Sequence, residues 1–132
     1  MISRVQMDRS KTAGKSLLLG LVGPCASGKS TLQSGLTSRG YEARHIAQEH
    51  SYVPDMWLRI TDPDVLIFLD VSFCSTIERR RINWNEADYE EQQRRLQHAR
   101  CHAHLLIQTD ELNEQQVLEE ALRFLGFRRR DG

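Results

Sequence analysis

Residues Gly23 to Thr31 read GPCASGKST and satisfy the spacing G-x-x-x-x-G-K-[ST] at every fixed position. The residue types suit one kind of chemistry. Glycines permit a tight turn and close backbone approach, so that successive N–H groups and the start of a following helix can point at phosphate oxygens. The ammonium of Lys29 can reach the β- and γ-phosphates, and the hydroxyl of Ser30 can ligate Mg²⁺. Gly23, Pro24, Cys25, Ala26, Ser27, Gly28, Lys29, Ser30 and Thr31 are therefore the expected nucleotide-binding set, with ATP or another nucleoside triphosphate and Mg²⁺ as cofactors. The plainer reading, a glycine-rich turn without ligand, is disfavoured because a strand-like run precedes the motif and a helix-like run follows it.

Those flanking runs begin an alternation along the chain. Leu17 to Val22 is a continuous apolar run that suits a strand buried on both faces. Gly28 to Arg39 reads as a helix with Leu32 and Leu36 on one side and Gly40 placed to end it. Tyr41 to Ala47 reads as a weaker second strand, and a short helix can follow Pro54. A third strand spans Val65 to Asp70 after the turn-forming TDPD. STIE, Ser75 to Glu78, has the form of a capping box opening an arginine-bearing helix, INWN breaks that helix, and EADYEEQQRRLQHAR reads as one mostly polar helix. HLLIQ is a fourth strand, and NEQQVLEEALRFL is a helix capped by Asn113 that buries Val117, Leu118, Ala121, Leu122 and Leu125. Strands alternating with helices predict an α/β fold, a three-layer α/β/α P-loop arrangement around a short, mostly parallel sheet of about four strands.

Composition narrows the classes further. A chain of 132 residues can bury one core, and residues 16–127 read as one domain between a disordered tail (1–15) and a charged end (128–132). The formal net charge is zero, and the basic Arg128 to Arg130 lacks interleaved aromatics, so nucleic acid is disfavoured as a partner. No segment approaches the roughly 18 apolar residues of a membrane span, and the basic N-terminus has no apolar signal core. Cys25, Cys74 and Cys101 are odd in number and widely spaced, which points to a reducing, cytoplasmic setting. The cations are 15 Arg against 3 Lys, a bias that suits phosphate oxygens but that arginine-rich codon usage would equally produce. His98, Cys101 and His102 fall at helical spacing that a zinc ion could bridge, but no fourth ligand is evident and metal binding there is disfavoured. Trp57 reads as packing rather than as a base-stacking platform.

GPCASGKST, PDVLIFLDVS followed by TIERRR, and HLLIQTDELNEQQVLEEALRFL together resemble the P-loop small-molecule and nucleoside monophosphate kinases, in parts those like thymidylate kinase. The resemblance covers most of residues 16–126, and only the phosphate loop within it is highly specific. It implies transfer of the γ-phosphate of ATP to a small-molecule acceptor, with a lid closing over the nucleotide and bringing arginines from Arg79, Arg80, Arg81, Arg94 and Arg95 to the transferring phosphate. Arg80 and Arg94 are the expected catalytic members. Such a lid competes with a solvated face held by Glu90–Arg94 and Glu91–Arg95 pairs at i, i+4.

The chain departs from that family in one interval. Such kinases usually have five strands, with an acceptor-binding insertion and an acid-ended strand between the second strand and the one matching Val65 to Asp70; here only Gln48 to Asp64 fills it. A sheet cannot leave a gap beside its phosphate-loop strand without orphaning buried backbone groups, so the second strand should pair with the first and the strand order should be second, first, third, fourth. Glu49 then lies near where the family carries the acid that orients magnesium-bound water or an acceptor hydroxyl, and Asp70 ends the strand on the other side. Both become candidate metal-associated acids beside Ser30, with Glu49 also catalytic and His50 a weaker candidate to assist it; Asp62 and Asp64 fall at the opposite edge as turn formers. The short interval keeps two further readings open, a nucleotide-binding regulatory or scaffold protein and a simple NTP hydrolase. A homodimer could supply the missing acceptor wall in trans.

Overall fold

The computed structural model describes the backbone of residues 17–80 and 84–131 and the side chains of 17–79 and 84–126. In chain order the elements are β1 (Leu18–Val22), α1 (Lys29–Thr37), β2 (Glu42–His45), a 3-10 turn (Gln48–His50), α2 (Met56–Ile60), β3 (Val65–Asp70), α3 (Phe73–Arg80), α4 (Glu86–Arg95), α5 (Gln97–His102), β4 (Leu105–Gln108) and α6 (Glu114–Asp131). The four strands form one all-parallel sheet in the order β2-β1-β3-β4. This is the order argued from the short interval after β2. Gly20 of β1 lies opposite Arg44 on one side and Leu66 on the other, so the strand that leads into the Gly23–Gly28 loop has its backbone paired along both edges.

Helices cover both faces. On one, Leu19, Leu21, Val65, Ile67 and Leu69 pack with Leu32 and Leu36 of α1 and with Val117, Leu118, Ala121 and Leu125 of α6. On the other, Val22, Leu66 and Phe68 pack with Trp57 of α2 and with Leu96 and Ala99. β1 and β3 thus send alternate side chains into two separate cores, which explains their nearly unbroken apolar sequence. Trp57 is core, as its neighbours suggested, and its indole N–H donates to His98 Nδ1 at 3.0 Å.

Several helix ends match their sequence signals. Asn113 and Gln116 bond reciprocally at 2.8 Å each, capping α6. Gly40, at φ 91°, turns the chain out of α1 in the left-handed region that glycine tolerates. Other ends differ. α3 starts at Phe73, two residues before the STIE box, because Ser72 Oγ accepts from Ser75 N–H at 3.2 Å and takes the cap position itself. The polar stretch from Glu86 is two helices, opened by a reciprocal Asn85–Asp88 capping box and divided at Leu96. Leu96 is fully buried, and dividing there lets α4 run across the 3-10 turn while α5 lies on β3. The helical backbone of α6 also continues through Asp131, past Leu125, where the helical sequence pattern ends. Among the described residues no helix is long and apolar enough to cross a membrane.

Candidate phosphate-binding site

The loop from Gly23 to Gly28 joins the end of β1 to α1, at the C-terminal edge of the sheet where open parallel sheets bind ligands. Gly23 is required by crowding: a Cβ there would lie 2.2 Å from the carbonyl oxygen of Leu69 on β3. Ala26 (φ 68°) and Gly28 (φ 100°) occupy the left-handed region, and Ser27 N–H closes a turn onto Pro24 O at 3.2 Å. This alternation of backbone hand bends the loop into a concavity of the kind that collects anions. α1 opens on it with no side-chain cap and no acid in its first turn. Its first N–H groups, which have no intrahelical acceptor, and its positive dipole end are thus left to a ligand.

Lys29 does not face solvent. It is 5% exposed and turns back into the loop, where Nζ donates to Gly23 O, to Pro24 O at 3.4 Å and to Glu49 Oε2 at 2.9 Å. A buried ammonium needs a counter-charge, and Glu49, equally buried, supplies it from the 3-10 turn that follows β2. The strand order is what makes this contact, since β2 beside β1 carries its exit segment to the loop. Glu49 Oε1 and Ser27 Oγ are buried with no hydrogen-bond partner among the described residues. Two unsatisfied acceptor-type oxygens beside a lysine are uncommon in a packed interior and mark a place built for further polar atoms.

The structure also brings in residues that the motif did not single out. Gln92 of α4 clamps the loop, accepting from Cys25 N–H at 3.0 Å and donating to Cys25 Sγ at 3.2 Å. Arg79 donates to Ala26 O at 3.0 Å and to Thr109 Oγ1 and O at 3.1 and 2.6 Å, tying the loop to the turn after β4. His45, the last residue of β2, pairs Nδ1 with Ser30 Oγ at 3.4 Å. Loss of hydration from the surrounding protein, followed by the Lys29 charge, holds the His45 imidazole below its usual pKa. Arg79 belongs to the expected arginine cluster, in which the sequence favours Arg80 and Arg94. Gln92 is one amide in a polar helix and carries no signal of its own.

The remaining candidates are placed as follows. Ser30 and Thr31 line the cavity with the loop residues from Cys25 onward. Asp70 ends β3 as expected, but its carboxylate accepts from Arg100 at 2.9 Å and Gln93 at 3.2 Å, and it is not among the cavity-lining residues. Arg94 is exposed and pairs with Glu91 at 3.1 Å; Arg95 pairs with the same acid at 3.0 Å, the i, i+4 contact foreseen. The Arg80 side chain, Arg81 and the side chains of Arg128 to Arg130 lie outside the described residues. His98, Cys101 and His102 do not converge on a metal position: the two imidazoles stack at 4.3 Å, His98 Nδ1 is taken by Trp57, and Cys101 is exposed beside Gln97.

The cavity over the loop measures about 760 Å³, within the range of small-ligand sites. One wall is His45, Glu49 and His50; the other is Arg79, Thr109, Leu112, Asn113, Glu114 and Val117, with residues 25–32 as the floor between them. A ligand of two chemically different ends fits this division: anionic groups over the loop, a flatter and less polar group toward Leu112 and Val117. No protein-family model and no curated protein matches the chain.

Proposed function

We propose that the chain is a P-loop phosphotransferase that binds ATP, or another nucleoside triphosphate, with magnesium and passes the γ-phosphate to a small acceptor. The observation that carries this reading is the buried Lys29–Glu49 pair at 2.9 Å on the floor of a cavity, beside an uncapped helix start and two unpartnered oxygens. The cavity's two walls suit a nucleoside toward Leu112, Asn113 and Val117 and an acceptor toward His45, Glu49 and His50.

The donors present fit magnesium: the hydroxyl of Ser30 and the carboxylate of Glu49 are hard oxygen ligands on the same side of the loop. Ser30 and Glu49 would hold the ion, whose positive charge would offset that of the phosphate groups when bound. The chain's own groups do the rest. Loop N–H groups and the α1 start hold the phosphates, Lys29 exchanges its carbonyl partners for β/γ-oxygens, and Glu49 keeps an oxygen for an acceptor hydroxyl proton or an ordered water. As the acceptor oxygen bonds to phosphorus, the bond to the leaving diphosphate breaks, so catalysis is positioning plus charge neutralisation. Arg79, bound to both the loop and Thr109, is the arginine best placed to fix the loop. Asp70, engaged by Arg100, is not needed for the ion in this scheme.

Incubation with γ-labelled ATP and a panel of nucleosides, nucleotides and sugars tests the proposal. Label should move to an acceptor. Release of free phosphate alone would indicate a hydrolase, and tight binding without turnover would indicate a nucleotide-dependent scaffold.

A further inference from the structure

We propose that the same loop carries a regulatory site for a thiophilic divalent cation of the zinc type, held by Cys25 Sγ, the Glu49 carboxylate and His50 Nε2. Among the described residues these three form the one group of ligand-type side chains whose donor atoms all lie within 4.8 Å of one another. Sγ and Nε2 are 4.0 Å apart, and Nε2 and Glu49 Oε2 are 3.7 Å apart. Zinc–ligand bonds of about 2.0–2.3 Å on tetrahedral directions put neighbouring donors roughly 3.5 Å apart, so these separations are within a few tenths of an ångström of that edge. The third separation, from Sγ to the Glu49 carboxylate, is no more than 4.8 Å, and His50, 58% exposed on its side chain, has room to adjust.

Thiolate, imidazole and carboxylate are the donor types that zinc prefers, and a fourth position is left for water, as in open zinc sites. Cys25 gives its thiol proton to solvent on binding. With Lys29 beside Glu49, the thiolate and carboxylate leave one net positive charge, which a hydroxide in the open fourth position would offset. A further oxygen is available independently of the cluster's geometry, since Glu49 Oε1 is buried without a partner while Oε2 holds Lys29. The sulfur is already oriented: Gln92, nearly buried, donates to Sγ at 3.2 Å and accepts from the Cys25 N–H, the outer support that metal ligands ordinarily have.

The regulatory part rests on the phosphotransferase reading. Glu49 cannot serve a zinc ion and the magnesium–nucleotide complex at once, and Cys25 bound to a cation cannot leave its amide free to follow a phosphate. Cation and nucleotide therefore exclude each other, and the loop reads thiophilic metal as an off signal.

Equilibrium dialysis of the untagged, full chain against Zn²⁺ should retain one ion per chain, and Co²⁺ should produce thiolate-to-cobalt charge-transfer absorption. Cys25→Ser should abolish that absorption, and His50→Ala should weaken retention of either ion at least tenfold, while Cys101→Ser and His102→Ala change neither. Circular dichroism confirms that each variant is folded. Zinc should raise the apparent Kd of the parent chain for ATP more than that of His50→Ala, whose smaller shift measures the zinc chelated by ATP itself. Cobalt absorption surviving in Cys25→Ser, or a folded parent that retains no ion, would overturn the cation site. Cysteine-dependent zinc binding in a chain that binds no nucleotide would keep the site and overturn the exclusion and the reading beneath it.

Discussion

Replacing Lys29 with alanine should destabilise the fold as well as disable the loop. Both members of the Lys29–Glu49 pair are 5% exposed on their side chains, so removing the ammonium leaves Glu49 as a buried charge whose Oε1 is already unpartnered. Breaking a buried pair from one side costs about 3–5 kcal/mol, against a total stability for a domain of this size of about 5–15 kcal/mol. With urea slopes of a few kcal/mol per molar, the unfolding midpoint should fall by on the order of 2 M. The double variant Lys29→Met with Glu49→Gln removes both charges and should recover most of that loss, since replacing both partners is often neutral. Urea denaturation followed by circular dichroism reads both effects. Repeating the series with ATP and magnesium at a hundredfold excess over Kd separates structure from function: the parent should gain about 2.7 kcal/mol from ligand linkage, and neither variant should gain it. If Lys29→Ala unfolds within a few tenths of a molar of the parent, the inward lysine is not a buried ion-pair partner. If it keeps the parent's ligand-dependent gain, the phosphate role of Lys29 is wrong.

Further outcomes follow from particular contacts. Gly23→Ala places a methyl group 2.2 Å from Leu69 O, where only backbone can give way, and calorimetry should show a loss of about 1–3 kcal/mol; an unchanged melting temperature would mean that β1 and β3 are not so close. His45, held below its ordinary pKa of about 6.5, binds its proton more readily in the unfolded chain. Its contribution to stability is thus fully present above that value and is lost as pH falls through it toward the lowered folded value, and His45→Asn should flatten this part of the stability–pH curve; a slope equal to the parent's between pH 7 and 5 would remove His45 as its source. Arg79→Ala deletes the bonds to Ala26 and Thr109, so amide exchange should quicken in the phosphate loop and in the turn after β4 while distant β2 amides keep their rates. Acceleration spread evenly over the chain would point to general destabilisation.

The parts of this molecule legible in sequence are those fixed by local chemistry or by a backbone constraint. The apolar runs of β1 and β3 need burial on both faces, Asn113 and Gln116 form a reciprocal cap within four residues, and the strand order follows from the rule that an inner strand cannot leave an edge unpaired. Glu49 could be placed by the loop on that topological ground alone. What sequence did not carry was direction. Whether Lys29 points outward or into Gly23 O and Glu49 depends on which acceptors the fold gathers around it, and those come from segments twenty residues apart. The division at Leu96 likewise depends on where the second core lies, because a leucine in a polar helix fits equally well as an exposed residue or as the pivot between α4 and α5. Ser72 and Ser75 both suit a cap, and the bond between them decides for the earlier one only once β3 has ended.

The interval from Gln48 to Asp64 bears most directly on what an acceptor can be. In the kinases that the chain resembles, the matching interval builds an acceptor pocket; here its buried groups other than Glu49 are committed elsewhere. The Gln48 side chain accepts from Trp57 N–H at 2.8 Å and donates to the carbonyls of Val53 at 2.9 Å and Arg95 at 3.3 Å, and Trp57 closes the sheet face over Leu66 and Phe68. Withdrawing these residues to form a pocket would expose that core and strand the amide of Gln48, at a cost no small acceptor contact offsets. On the phosphotransferase reading, the acceptor surface left is therefore the short wall of His45, Glu49 and His50, continuous with the Gly23–Gly28 loop. Two imidazoles and one carboxylate offer hydrogen bonds at close range but no apolar slot for a base or an extended sugar. On the phosphotransferase reading, that restricts the acceptor to a compact molecule that presents its hydroxyl or phosphate oxygen directly to Glu49 and reaches little beyond it.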